Sequence, residues 1–226
     1  GGASYSYDHL VIALGAELNY SAIPGVTANE CLYELPAILR LKETLRTFSG
    51  GHVLVVIAGA PLRCPAAPNE AAFILNHIFK KKGIKDKVDL EIFTVEDQPL
   101  PVAGPKIGAA VRKLVEAQGI KYHTKIKLRS VDDQNNKVIF ENGDERHFDL
   151  LTIIPPHKAP DVLKEAGFLG ESGWVPVDAG TLETKHPGVF AVGDVTGIKL
   201  PGGKSLPKAG VFAHFEAEVV AARLAD

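Results

Sequence analysis

The chain has 226 residues, 46% of them apolar and 23% charged, with a formal net charge of −2 at pH 7. That length holds one large domain or two small ones, and the composition is that of an ordinary globular protein. The charge gives nucleic acid no electrostatic hold, and no apolar run reaches the roughly 18 residues of a bilayer span.

In chain order, Tyr7 to Ala16 is a continuous apolar run closed by Gly15, which reads as a buried strand of a parallel sheet. A turn-rich connector with Pro24-Gly25 follows, then helical spacing from Cys31 to Phe48, with Pro36 marking a start or a kink. Gly51 to Gly59 is the clearest central strand. Asn69 to Gly83 reads as a helix with Asn69 as N-cap and Gly83 as stop. The run Lys80-Lys81-Lys82 complements the dipole at its end. Val88 to Asp97 is a second strand and Pro105 to Gly119 a second helix. This β-α-β-α series predicts a parallel sheet with right-handed crossovers.

From Ile120 to Asp149 the pattern changes to short alternating strands, with Asn135-Asn136 and Asn142-Gly143 as hairpin turns. An antiparallel meander is expected there. Leu150 to Pro156 returns to a buried strand, and Val189 to Val195 (VFAVGDV) is an apolar strand that ends on Gly193 and Asp194. After a Pro/Gly-rich loop, Lys208-Ala209-Gly210 opens a final helix.

The two cysteines, Cys31 and Cys64, make no disulfide framework. No CxxC and no Cys/His cluster at zinc spacing occurs, so no metal site is expected. Cys64 lies between a strand and a helix N-terminus, next to Arg63, and both features favour a thiolate. A small buried core cysteine is the plainer alternative, against which Pro61, Pro65 and Pro68 argue for a shaped loop. The same stretch, Gly59 to Pro65, reads GAPLRCP where a dinucleotide-binding turn would read GxGxxG. Proline and bulky side chains there obstruct the approach of a pyrophosphate.

The segments DHLVIALGA, RCPAAPNE and VFAVGDVTGIKLPGGKSLPKAGVFAHFEAEVVA resemble the two-dinucleotide-domain flavoprotein oxidoreductases. Within that superfamily they are most similar to sulfide:quinone oxidoreductases and the flavoprotein subunit of flavocytochrome c sulfide dehydrogenase. Type II NADH dehydrogenases are the next relatives. The resemblance implies an α/β fold: a Rossmann-like three-layer domain (23–187) with an antiparallel meander. It is flanked by parts of a discontinuous FAD-binding Rossmann domain at 1–22 and 188–226.

By resemblance, Gly15, Gly193, Asp194, Lys208, Ala209 and Gly210 belong to the FAD site. Asp194 would accept from the ribityl hydroxyls, and Lys208 with the last helix's N-terminus would face the isoalloxazine ring. The plainer readings are a capping acid and a solvated loop lysine. Cys64 and, more loosely, Cys31 match redox cysteines of the sulfide-oxidising members, but the partner cysteine those members carry shortly before the VFAVGD strand has no counterpart here, where Gly180 and Thr181 stand. The resemblance implies that electrons would pass from a reduced sulfur compound through flavin to a quinone or a cytochrome. An NADH:quinone oxidoreductase and a non-enzymatic binding domain are the competing readings.

Relatives work in the periplasm or at membrane surfaces. The family's first GxGxxG segment has no counterpart in these residues. The chain is therefore expected to be a later portion of such a protein that does not retain FAD alone. It is also expected to self-associate through apolar faces left bare at Leu10 to Leu14 and Val189 to Val192.

Overall fold

The computed structural model describes residues 2–225. In chain order its elements are β1 (Leu10–Ile12), β2 (Glu17–Leu18), α1 (Leu35–Thr47), β3 (Gly51–Ile57), α2 (Ala67–Lys81), β4 (Val88–Thr94) and α3 (Pro105–Ala117). Then come β5 (Lys121–His123), β6 (Leu128–Asp132), β7 (Lys137–Phe140), β8 (Glu145–His147), β9 (Leu150–Ile154), β10 (His157–Lys158), α4 (Asp161–Glu165), β11 (Val189–Ala191) and α5 (Gly210–Ala225). They form two compact units, one of residues 1–17 and 157–226, the other of residues 18–156.

The larger unit is built on a four-stranded parallel sheet in the order β5-β4-β3-β9. Successive residues of β3 point to opposite faces, and both faces are covered. Val53, Val55 and Ile57 pack with Leu90, Ile92 and the α2 residues Leu75 and Phe79. Leu54 and Val56 pack with Phe93, Ile153 and the meander residues Leu128, Val138 and Phe140. A sheet covered by helices on one side and a meander on the other explains why its strands read as unbroken apolar runs. The meander β6-β7-β8 is antiparallel, and its turns use Asn136 at φ 50° and Gly143 at φ 89°.

Helix α2 departs from expectation at its start. Asn69 is not the cap: Ala66 holds that place, and Asn69 lies buried within the first turn. The first turn lacks intrahelical donors to lose, so it tolerates Pro68, and the helix starts earlier than the polar residue suggests. Its end follows the sequence. The Gly83 amide donates to the Lys80 carbonyl and the Ile84 amide to the Phe79 carbonyl, with Gly83 at φ 69°. Strand β4 stops at Thr94, short of the expected Asp97.

In the smaller unit β1 pairs in parallel with β11. Trp174, Val175 and Val195 pack with Ile12, Val189 and Ala191, while Leu182 and Val220 of α5 cover Phe190 and Val192. This packing moves residues 157–187 out of the middle domain to which the sequence assigned them. It also corrects one expected bare face. Val189, Phe190, Ala191 and Val192 are all buried, and of the two stretches expected to be bare Leu10 to Leu14 alone keeps apolar exposure, at Val11 and Leu14. Among the described residues no helix is long and apolar enough to cross a membrane.

Candidate functional site

Within the larger unit, the chain leaves β3 at Ile57 and turns through residues 58–66 into α2. A Cβ on Gly59 would lie 2.6 Å from the Cα of Pro156, so this glycine serves close packing of two backbone segments. Leu62 is 2% exposed and fills the space beneath the turn. The Ala60–Pro61 bond is cis. The turn that would hold a pyrophosphate on its amides is thus occupied by side chains. Gly59→Ala is expected to lower unfolding stability by about 1–3 kcal/mol, as overpacking does. Urea unfolding checks this, and a change below about 0.5 kcal/mol would mean that Pro156 can move aside.

Cys64 is exposed and sits at φ 47°, in the left-handed region. A non-glycine residue costs on the order of 1 kcal/mol there. Its carbonyl accepts from the Ala67 amide at 2.9 Å, at the start of α2. The loop is clamped from the side: the Tyr33 hydroxyl donates to the Arg63 carbonyl at 2.5 Å, and the Arg63 guanidinium lies 5.3 Å from the centre of the Tyr33 ring.

Cys31 precedes Tyr33 in that clamping segment, but its surroundings are opposite in kind. It is 1% exposed and bridges to Ile153 beside β9. Burial pushes its thiol up; the Tyr33 amide, the Tyr20 hydroxyl and Arg63 pull it down, and Glu34 pushes it up. The Tyr20 hydroxyl donates to Glu34 Oε1 at 2.9 Å, and burial raises this phenol too. Tyr20, Tyr33 and Glu34 carry no motif and were not singled out in the sequence.

The smaller unit carries the other group. Gly193, at φ 77°, donates its amide to Glu216 Oε2 at 2.5 Å. Lys208 is buried, and its ammonium donates to the carbonyls of Asp194 at 2.6 Å and Thr196 at 3.3 Å. The same nitrogen lies 3.4 Å from the centre of the Trp174 ring. Lys208 therefore braces the loop after β11. Burial pushes its pKa down to about 8, against the raising charges of Asp194 and Glu216. Burial pushes Glu216 up, with the Gly193 amide opposing.

Gly193, Asp194, Lys208 and Ala209 line one cleft of about 10 Å³, and Gly210 begins α5 beside it. Gly15 does not line that cleft. Trp174 and Glu216 were missed. Neither sits near the VFAVGD motif in sequence, although an acid in the second turn of α5 was the available signal.

A third cluster was also unforeseen, since no metal site was expected. His52, Asp89 and Glu91 bring ligand atoms within 4.8 Å of one another on adjacent strands. Lys121 Nζ lies 2.5 Å from Asp89 Oδ2 and 3.7 Å from Glu91 Oε1, and His123 Nε2 lies 2.6 Å from Glu91 Oε2. The cationic place is taken by an ammonium, so the arrangement is an ion-pair network.

The pattern that describes pyridine nucleotide-disulphide oxidoreductases matches residues 1–217. The chain belongs to that family. Members are FAD-dependent oxidoreductases, and sulfide:quinone enzymes are among the relatives this chain resembles. The mitochondrial sulfide:quinone oxidoreductase of Mus musculus is 29% identical over 210 residues, covering 87% of this chain and 46% of that protein. The sulfide-quinone reductase of Aquifex aeolicus is 26% identical over 235 residues, covering 97% and 54%.

The chain spans about half the length of these curated relatives. In fold it matches the solved sulfide:quinone oxidoreductase from the hyperthermophilic bacterium Aquifex aeolicus, with a TM-score of 0.79 at 23% identity over 99% of this chain and 55% of that one. A NAD-dependent persulfide reductase from A. fulgidus gives 0.72 at 21% identity over 97% and 39%.

Proposed function

We propose that this pyridine nucleotide-disulphide oxidoreductase chain is part of an FAD-dependent, sulfide:quinone-type enzyme. It would pass electrons from a reduced sulfur compound through flavin to a quinone or a cytochrome. One observation carries the reading: an exposed cysteine, Cys64, is held in a left-handed conformation where a nucleotide-binding enzyme would place a glycine turn. Such strain clusters at functional sites, and of the described non-glycine residues in that region (Cys64, Leu100, Lys125, Asn136 and Leu182) Cys64 alone carries a thiol. Pro156 and Leu62 close the same turn to a dinucleotide phosphate.

The residues of the smaller unit fit the polyol end of FAD. Asp194 stands at a strand tip beside the first turn of α5, where a carboxylate can accept from hydroxyls and helix amides can donate. Lys208 holds that tip in place through the Asp194 carbonyl. The cleft itself has room for about one water, so no ring is enclosed there. When bound, FAD supplies a two-electron acceptor. The chain's own part is to orient the cofactor at Asp194, to keep the loop rigid through Lys208 and Glu216, and to offer the Cys64 thiol to the sulfur compound.

The test is anaerobic absorbance of the native flavin-loaded protein. Sulfide is expected to bleach the flavin band and NADH to leave it, with Cys64→Ser losing at least about 100-fold in the sulfide-driven rate. Fast bleaching by NADH would move the assignment to an NADH-dependent enzyme, and an unaffected Cys64→Ser variant would remove Cys64 from the sulfide step.

A further inference from the structure

Helices α1 and α2 lie side by side on the larger unit, and their facing sides leave a groove of about 550 Å³. Ile38, Leu41 and Leu45 recur at three- and four-residue spacing on α1, and Ala71, Ile74, Leu75 and Ile78 do so on α2. Ile74 is 59% exposed and Ile38 38%, so the groove is open. Its remaining lining residues are Leu32, Lys42, Arg46 and Lys82. Every polar residue that lines it is cationic and none is acidic.

The charges are also ordered along the groove. Lys42 and Arg46 follow Ile38 on one edge of α1, and Lys82 follows Ile78 at the end of α2. The Lys82 ammonium donates to the carbonyls of Leu45, Arg46 and Phe48, which ties the C-terminal ends of the two helices together. One end of the groove is thus purely apolar and the other basic. Arg46 reaches Glu43 at 3.3 Å, an exposed pair that offers little resistance to a competing anion. From Ala71 to Lys82 the helix rises about 16 Å.

We infer that this groove binds a single-chain anionic amphiphile, a free long-chain carboxylate whose tail lies along Leu41, Ile74 and Ile78 and whose head meets Lys42 and Arg46. The volume falls within the range of small-molecule sites, and such sites combine an apolar lining with a few placed polar groups. The inference is independent of the redox reading and does not involve Cys64.

The experiment titrates the protein with an anthroyloxy-labelled stearate and displaces the probe with oleate, oleyl alcohol, or vesicles of neutral and of anionic phospholipid. Saturable binding of one oleate per chain is expected, with oleyl alcohol weaker by roughly tenfold or more. The double substitution Lys42→Glu, Arg46→Glu should weaken oleate by a similar factor and leave the alcohol unchanged. Ile74→Glu, at an exposed position, should abolish both. Equal affinity for acid and alcohol, displacement by anionic vesicles alone, or probe binding that depends on chain association in sedimentation would each overturn the proposal. So would wild-type affinity in the Ile74→Glu variant.

Discussion

Iodoacetamide is expected to modify Cys64 in the native protein at least about 100-fold faster than Cys31. The two thiols differ in what must happen before the reagent arrives. Cys64 is exposed on its loop and meets reagent directly. Cys31 is 1% exposed, bridged to Ile153, and covered on the sheet side by β9. The Leu32 amide also donates to the Ile153 carbonyl at 3.4 Å. Reaching Cys31 requires local opening of that segment, and an opening free energy of about 3 kcal/mol already gives a hundredfold difference.

Burial pushes the Cys31 thiol up, which lowers its thiolate fraction at neutral pH and acts in the same direction. Labelling followed by peptide mass spectrometry, with Cys64→Ser and Cys31→Ser as site controls, reads the two rates. Equal rates would mean that the 31–34 segment opens freely. In that case the Tyr33–Arg63 clamp would not hold the Cys64 loop in solution.

The features legible in the sequence are those fixed by local chemistry or by two-sided burial. Strand β3 announces itself because both its faces are covered, so His52 is followed by six apolar residues in a row, Val53 to Ala58. The end of α2 is legible because a left-handed position after a helix calls for glycine, and Gly83 supplies it. The start of α2 is not, because Asn69 is a good capping residue that tertiary packing draws into the first turn.

At the candidate site, Cys64 and Asp194 could be picked out because each interrupts a pattern at a strand end. Lys208 could be picked out but not its posture. Nothing local to Pro207-Lys208 tells that its ammonium turns inward to Asp194, Thr196 and Trp174. Tyr33 and Glu216 lie 30 and 23 residues from the groups they bond. Such pairings follow from how the elements pack, which one sequence does not display.

Stability is expected to rise with pH between about pH 8 and pH 10 through Lys208, and Lys208→Met should remove that rise. Burial depresses the native pKa of Lys208 to about 8, against 10.5 for the open chain. Between those values the unfolded state binds more protons than the native state, so unfolding free energy increases with pH. Below pH 8 both states are protonated and the full cost of a buried ammonium is present. A tenfold difference in proton affinity between the two states is worth about 1.4 kcal/mol, so the gain across the window is on the order of 2–3 kcal/mol.

Asp194 and Glu216 face the ammonium and temper this depression, and Trp174 offers only its ring. Five other groups slope the other way in alkali. Cys31, Tyr20 and Tyr122 are raised by burial, and Lys121 and Lys158 by their hydrogen bonds to Asp89 and Asp161, so their contributions fall as pH passes the open-chain values. Those contributions are common to both proteins and cancel in the difference between parent and variant. The lost hydrogen bonds to the Asp194 and Thr196 carbonyls add only a pH-independent offset. Urea unfolding of both proteins from pH 7 to pH 10 therefore isolates the lysine. Parallel curves across that range would show that Lys208 is solvated in solution. Its brace between the strand tip and Trp174 would then be absent.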